Sequence, residues 1–272
     1  MEKKSILFFE ITDYALGRFP KWLTKSFSDQ SQYKFIYIYL DTYNKSICDF
    51  SWIPNGSETI NLNGKVKNIN PVLENNNDGL LFTFAVRPPE FYVVHFANGL
   101  GIKTHIFQHG IFIPFMKKEL SYFFRESNKM ISYFKSIYFL SKISSISLLD
   151  SFLEIYNIYI LGSTRISQSK FMKLNVLPSK AFVYSHYWGD YFTNNYGFSQ
   201  DQFIYTGTPD LSEFYLINNQ NREDAICYVC QTLVEDGRLT KKEFNNFINI
   251  LRDSLSEEDL LYIKLHPRSD LS

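Results

Sequence analysis

Short apolar runs of strand length recur along this chain, separated by helix-length periodic segments, and that alternation limits it to a parallel α/β architecture. The strand-like runs are Ile6–Glu10, Phe35–Leu40, Leu80–Phe84, Thr104–Gln108, Ala181–Tyr184, Phe203–Thr206, Ala225–Cys230 and Leu260–Leu265. Helices are expected over Ala15–Phe27, Lys117–Ser141, Asp190–Tyr196 and Lys241–Ser254. The last opens at Thr240 with Glu243 three residues on, a capping-box pattern in which each side chain satisfies the other's backbone N–H. Asn55–Asp78 is rich in Asn, Gly and Ser and reads as turns or a weak hairpin.

Six of the eight strand-like runs fall in the first 206 residues of the 272. Asp210–Asp224, with Asn218-Asn219-Gln220-Asn221 at its centre, is polar and without a sustained period, so it reads as a linker. Two domains follow, 1–214 and 215–272. The second offers only a strand, a helix, a strand and a closing His-Pro-Arg. A doubly wound domain needs more elements to cover both faces of its sheet, so this domain is expected to be truncated.

Lys plus Arg and Asp plus Glu balance at 28 each, which excludes a global field directed at nucleic acid. Cys48, Cys227 and Cys230 are too few for a disulfide framework and suit a reducing compartment. Cys227 and Cys230 form a CxxC, but inside a strand they point to opposite faces, which disfavours a metal or redox role. The amino terminus, Ser5-Ile6-Leu7-Phe8-Phe9 with Glu10 and Asp13 behind it, is a buried strand rather than a signal peptide. No stretch supplies about 18 uninterrupted apolar residues, so a cytoplasmic location is expected.

Two motifs carry the chemistry. Glu235-Asp236-Gly237 follows the run Ala225–Cys230, and His266-Pro267-Arg268 follows Leu260–Leu265. In α/β units both motifs come after the carboxyl ends of strands and so share one rim of the sheet. Adjacent carboxylates raise one another's pKa toward the range of a general base, and Gly237 permits a tight turn. An imidazole with a guanidinium two residues on grips a phosphate through charge-assisted hydrogen bonds. Each motif alone is also what an ordinary turn and strand end would show.

Together, Tyr228-Val229-Cys230-Gln231, Glu235-Asp236-Gly237, the following helix and Tyr262-Ile263-Lys264-Leu265-His266-Pro267-Arg268 resemble the carboxyl-terminal half of bacterial GT-B sialyltransferases. The spacing is most similar to the type that sialylates lipooligosaccharide or capsule. The resemblance implies two Rossmann-like doubly wound domains, 1–214 on the acceptor side and 215–272 beginning the nucleotide-sugar domain. It implies transfer, with inversion, of a sialic-acid-like sugar from a CMP donor to a hydroxyl of a glycan or glycolipid acceptor. By it Asp236 or Glu235 is the base and His266 the phosphate ligand, with Pro267, Arg268 and Gly237 around the nucleotide. No Asp-x-Asp metal motif occurs, so no metal or other cofactor is expected.

Thr104-His105-Ile106-Phe107-Gln108-His109-Gly110 ends a strand in a turn that resembles those of GT-B enzymes building capsules and teichoic-type polymers. His109 is thereby an acceptor-side candidate or a rival base, and a CMP-Kdo or CDP-polyol donor is an alternative. Gly207 and Thr208, in Thr206-Gly207-Thr208-Pro209, resemble the turn that closes the first domain in many GT-B proteins and are candidates for the cleft. Phe115–Lys142 holds six basic residues against two acidic ones, with Phe123, Phe124, Phe134 and Phe139. That composition suits peripheral contact with an anionic membrane at its inner face, as well as an amphipathic helix packed on the sheet. A third reading is an inactive truncated remnant.

Overall fold

A computed structural model of the chain describes residues 3–27, 29–41, 49–108, 127–208, 225–229, 233–234, 239–256 and 259–264. It divides into two compact units, Met1–Pro209 and Asp210–Ser272.

The first unit runs β1 (Lys4–Thr12), α1 (Asp13–Leu16), α2 (Phe19–Ser26), β2 (Tyr33–Asp41), β3 (Glu58–Asn61), α3 (Asn70–Glu74), β4 (Leu80–Thr83) and α4 (Pro88–Gly99). It continues with β5 (Lys103–Phe107), α5 (Ser127–Ile143), α6 (Leu148–Ile155), a π turn at Tyr156–Ile160, β6 (Lys180–Val183), α7 (His186–Tyr196) and β7 (Phe203–Tyr205). All seven strands pair in parallel, in the order β3-β2-β1-β4-β5-β6-β7. This is the doubly wound α/β sheet expected from the alternation of runs.

The reason lies in the central strands. Leu7, Phe9 and Ile11 of β1 join one core with Ile36, Leu81, Ile106 and the helices α4, α5 and α7. Ile6 and Phe8 join another on the opposite face, with Phe35, Tyr37, Phe82 and the flanking Phe19 and Trp22. A strand covered on both faces has no polar side to show, hence the unbroken apolar run.

Two expectations are corrected, and a third is described only in part. Asn55–Asp78 is not a hairpin: it contains β3, which adds to β2 in parallel with Tyr37 opposite Thr59, and then α3. As an edge strand, β3 is exposed or only half buried along its length, so it carries no apolar signature. Ala15–Phe27 is not one helix. Arg18 leaves helical geometry (φ −102°, ψ −105°), and Pro20, which cannot continue a ladder from behind, restarts the chain as α2. Lys117–Ser141 begins as a described helix only at Ser127, and the residues before it lie outside the described ones. Helix α4 carries no sequence signal of its own, because eight of its residues are buried and no polar face marks a period.

In the second unit β8 (Ala225–Val229) and β9 (Leu260–Lys264) pair in parallel, Val229 opposite Lys264, across α8 (Lys241–Asp253). The expected capping box is formed: the Glu243 amide donates to Thr240 Oγ1 at 3.2 Å, and the Thr240 amide donates to Glu243 Oε2 at 2.8 Å.

Gly79, just before β4, tests the packing. A Cβ there would lie 2.8 Å from Leu7 Cδ1 and 2.9 Å from the Ser5 carbonyl oxygen, so backbone must shift. Gly79→Ala is expected to cost about 1–3 kcal/mol. Urea unfolding followed by tryptophan fluorescence measures it in the first unit alone, since Trp22, Trp52 and Trp188 all lie there.

Candidate functional site

Seven parallel strands end on one edge of the sheet, and α/β proteins bind ligands at that edge, outside the point where strand order reverses. Here the reversal falls between β1 and β4, with β2 and β3 on one side and β5 to β7 on the other.

At this point stands a buried ionic cluster that the sequence reading missed. Glu10 comes from the end of β1, Arg87 is the residue that caps α4, and Glu90 lies in the first turn of that helix. Arg87 Nε donates to Glu90 Oε1 at 3.0 Å, its Nη2 makes a second bond to the same oxygen, and Nη2 reaches Glu10 Oε2 at 3.4 Å. Glu10 is 5% exposed and Glu90 2%, whereas the Arg87 side chain keeps 27% of its surface open. The cation is thus the member that faces outward.

One guanidinium beside two carboxylates cannot neutralise both. Burial, and the neighbouring Glu90 charge, push the Glu10 carboxyl up to about 7 against the pull of Arg87. Burial disfavours the charged Arg87, but Glu90, Tyr133 and Glu10 more than offset it, and it stays protonated. Tyrosines surround the cluster. Tyr159, on the π turn, donates to the Val86 carbonyl at 2.9 Å and packs edge-on against Tyr133 of α5. Burial raises the Tyr159 and Tyr196 phenols well above their ordinary value, so both remain neutral donors.

Farther along the rim, Gln108 follows β5 and is fully buried. Its amide donates to the Phe182 carbonyl and its Oε1 accepts from the Tyr184 amide, each at 2.9 Å. The side chain therefore stitches the ends of β5 and β6 and is not free to hold a ligand. After β6, His186 at the start of α7 lies against the Tyr205 ring of β7, centroids 3.9 Å apart. Neither was expected, because an exposed His and Tyr at two strand ends look alike whether or not they meet.

Of the residues expected in a site, Gly207 and Thr208 are described. They follow β7, where Gly207 takes a left-handed φ of +69° that suits glycine. They sit on the same rim but at its far end, three strand spacings, or about 14 Å, from β4. The structure does not bring them to Glu10 and Arg87. His109, Glu235, Asp236, Gly237, His266, Pro267 and Arg268 lie outside the described residues. Their approaches are described: the acidic motif follows β8 and the His-Pro motif follows β9, two parallel strands that end on one edge. A cavity of about 490 Å³ lined by Asn98, Lys103, Asn175 and Ser179 lies elsewhere, at the amino-terminal ends of β5 and β6. It is on the opposite edge from the ionic cluster.

No protein family matches the chain, and no curated protein matches it in sequence. Among solved structures, the wall teichoic acid polymerase TagF, soaked with CDPG, aligns at 10% identity and a TM-score of 0.43. The alignment covers 98% of this chain and 56% of that one, so the chain spans little more than half the length of that polymerase. The glycosyltransferase of kitacinnamycin aligns at 8% identity and a TM-score of 0.48, over 100% of this chain and 68% of that one.

The raised Glu10 carboxyl makes stability depend on pH. Because its folded pKa, about 7, exceeds the ordinary 4.5, the native state binds the proton more tightly. The stability it contributes is full below about 4.5 and is lost as pH rises to about 7, by on the order of 3 kcal/mol at most. Glu10→Gln, which keeps a neutral side chain of the same shape, is expected to flatten that decline. Urea midpoints of both proteins from pH 5 to 8 measure the difference.

Proposed function

We propose that the chain is part of an inverting glycosyltransferase of surface polysaccharide or lipooligosaccharide synthesis. It moves a sialic-acid-like sugar from a CMP donor to a hydroxyl of a glycan or glycolipid. The observation that carries the reading is the second unit's β-α-β arrangement, with a pair of carboxylates after one parallel strand and His-Pro-Arg after the other. A base and a phosphate grip on one sheet edge are the two elements that direct displacement at an activated sugar requires.

In this reading Asp236, with Glu235 beside it, takes the proton of the acceptor hydroxyl as its oxygen attacks the anomeric carbon. The bond to the phosphate oxygen breaks on the opposite face, and configuration inverts. Charge collects on the departing CMP, where His266 and Arg268 donate hydrogen bonds that strengthen in the transition state. Gly237 and Pro267 shape the two turns. The first unit supplies a rim with an outward-facing guanidinium, Arg87, suited to an anionic group on an acceptor. Among the described residues no helix is long and apolar enough to cross a membrane.

A second reading keeps the fold and changes the donor to CMP-Kdo or a CDP-polyol; a CDP-polyol has no anomeric carbon, so there the acceptor oxygen attacks the polyol-bearing phosphorus and CMP departs. Gln108 favours it: its bond to the Tyr184 amide fixes the strand end from which His109 follows, as a base on a rigid support would need.

Asp236→Asn is expected to lower transfer by at least 10³-fold while CMP binding is retained, the pattern of a lost general base. Single-turnover assays with calorimetry measure both, and normal turnover in this variant would remove Asp236 from the mechanism. Offered a panel of nucleotide-activated donors, the protein is expected to release CMP. Release from a CDP-polyol instead, with His109→Asn inactive and Asp236→Asn active, would select the second reading.

A further inference from the structure

Helix α5 is apolar on both sides, yet only one side is covered. Met130, Tyr133, Ile137 and Leu140 are buried in the core, while Ile131, Phe134 and Tyr138 on the other side are 48%, 38% and 43% exposed. A helix apolar all round belongs in an interior or at an apolar boundary. Helix α6 and the π turn after it repeat the pattern: Leu149, Leu153 and Tyr156, at i, i+4 and i+7, are 70%, 51% and 48% exposed. Phe134 meets Phe152 of α6 edge-on at 5.5 Å, so the two stripes form one continuous patch.

On its α5 side the patch is bordered by lysines. A groove of about 400 Å³ is floored by Phe134, Tyr138 and Phe139 and rimmed by Lys65, Lys67 and Lys135. Lys67 stands over the Phe139 ring at 5.4 Å, and Lys142 stands over the Tyr138 ring at the same distance. Among the described residues no carboxylate lines this groove. The two acids of α6 are turned to Lys170: Asp150 pairs with its ammonium at 2.6 Å, and Glu154 accepts its backbone N–H at 3.3 Å.

We infer that the exposed faces of α5 and α6 dock this protein on an anionic lipid bilayer. The apolar stripes enter the interface, and Lys65, Lys67, Lys135 and Lys142 meet the headgroup phosphates. Charge decides for this occupant. Lysine stems lie along apolar surface while their ammonium groups reach outward, and tyrosine suits the boundary between tails and water. A second copy of the chain on a two-fold axis would set four lysines against four lysines, which opposes self-association through this patch. Attachment to a bilayer is read directly, so it is tested without turnover.

Sedimentation of the full chain with vesicles tests it. Binding is expected to vesicles of phosphatidylcholine with about one-third phosphatidylglycerol, to be weak to phosphatidylcholine alone, and to fall as salt is raised. Leu149→Ser with Leu153→Ser is expected to lower partitioning at least tenfold, since both side chains are exposed and the fold does not rest on them. Lys65→Glu with Lys135→Glu is expected to lower it about 25-fold or more, at roughly fivefold for each lysine removed. Lys25→Glu, on α2 at the opposite face of the sheet, is expected to leave it unchanged. Circular dichroism and the tryptophan-monitored unfolding midpoint establish that the variants are folded. Absence of binding to anionic vesicles overturns the inference. So does equal binding by the patch variants and the parent, or a dimer in sedimentation velocity that the leucine variant dissolves.

Discussion

The fold turns on a contact between charges that have nowhere else to go. Glu10, Arg87 and Glu90 meet where β1, the loop after β4 and the first turn of α4 converge. Of the two buried carboxylates on one guanidinium, Glu10 is pushed up to about 7 by burial, so it is the one that keeps its proton below that pH. Removing the cation would strand both acids, and removing an acid would leave a half-buried cation with one partner fewer. The cluster therefore contributes little net attraction but penalises any displacement of β1 relative to α4. Tyr133, Tyr159 and Tyr196 extend the same constraint to α5, the π turn and α7.

That constraint lies where strand order reverses, which is also where a sheet of this kind opens a crevice. The residues that stabilise the rim thus stand at the strand-order reversal itself. Arg87 is held from behind by two acids and is open in front. Gln108, by contrast, spends its hydrogen bonds on the ends of β5 and β6, so it supports the rim without facing a ligand. Gly207 and Thr208 bound the rim at the outer edge, three strands from Arg87's β4.

Strands β1, β2, β4, β5 and β6 were legible because a strand buried on both faces must be apolar, whereas β7, β8 and β9 are largely exposed and were legible only as apolar runs of strand length. The strand that escaped, β3, is an edge, where one side meets solvent and polar residues such as Glu58 and Asn61 serve as well as apolar ones. Helix α4 escaped for the opposite reason: being covered almost all round, it has no polar face to set a period. Helix α8 was read to within a residue because its capping box is a local exchange of hydrogen bonds and needs no tertiary partner. The ionic cluster was not legible, since Glu10 stands 77 residues from Arg87 and nothing local distinguishes an acid that ends a strand buried from one that ends it in water.

The sequence by itself determined the parallel α/β class, the position of most strands and the placing of two polar motifs after β8 and β9. All of these follow from local periodicity and from the rule that parallel strands finish on one edge. Only the tertiary structure decided that Glu10, Arg87 and Glu90 form one cluster, that His186 lies on Tyr205, and that the apolar faces of α5 and α6 remain open beside a row of lysines. Those outcomes depend on which distant segments pack together. Burial and electrostatics act through space, and a single sequence records each residue without recording its neighbours.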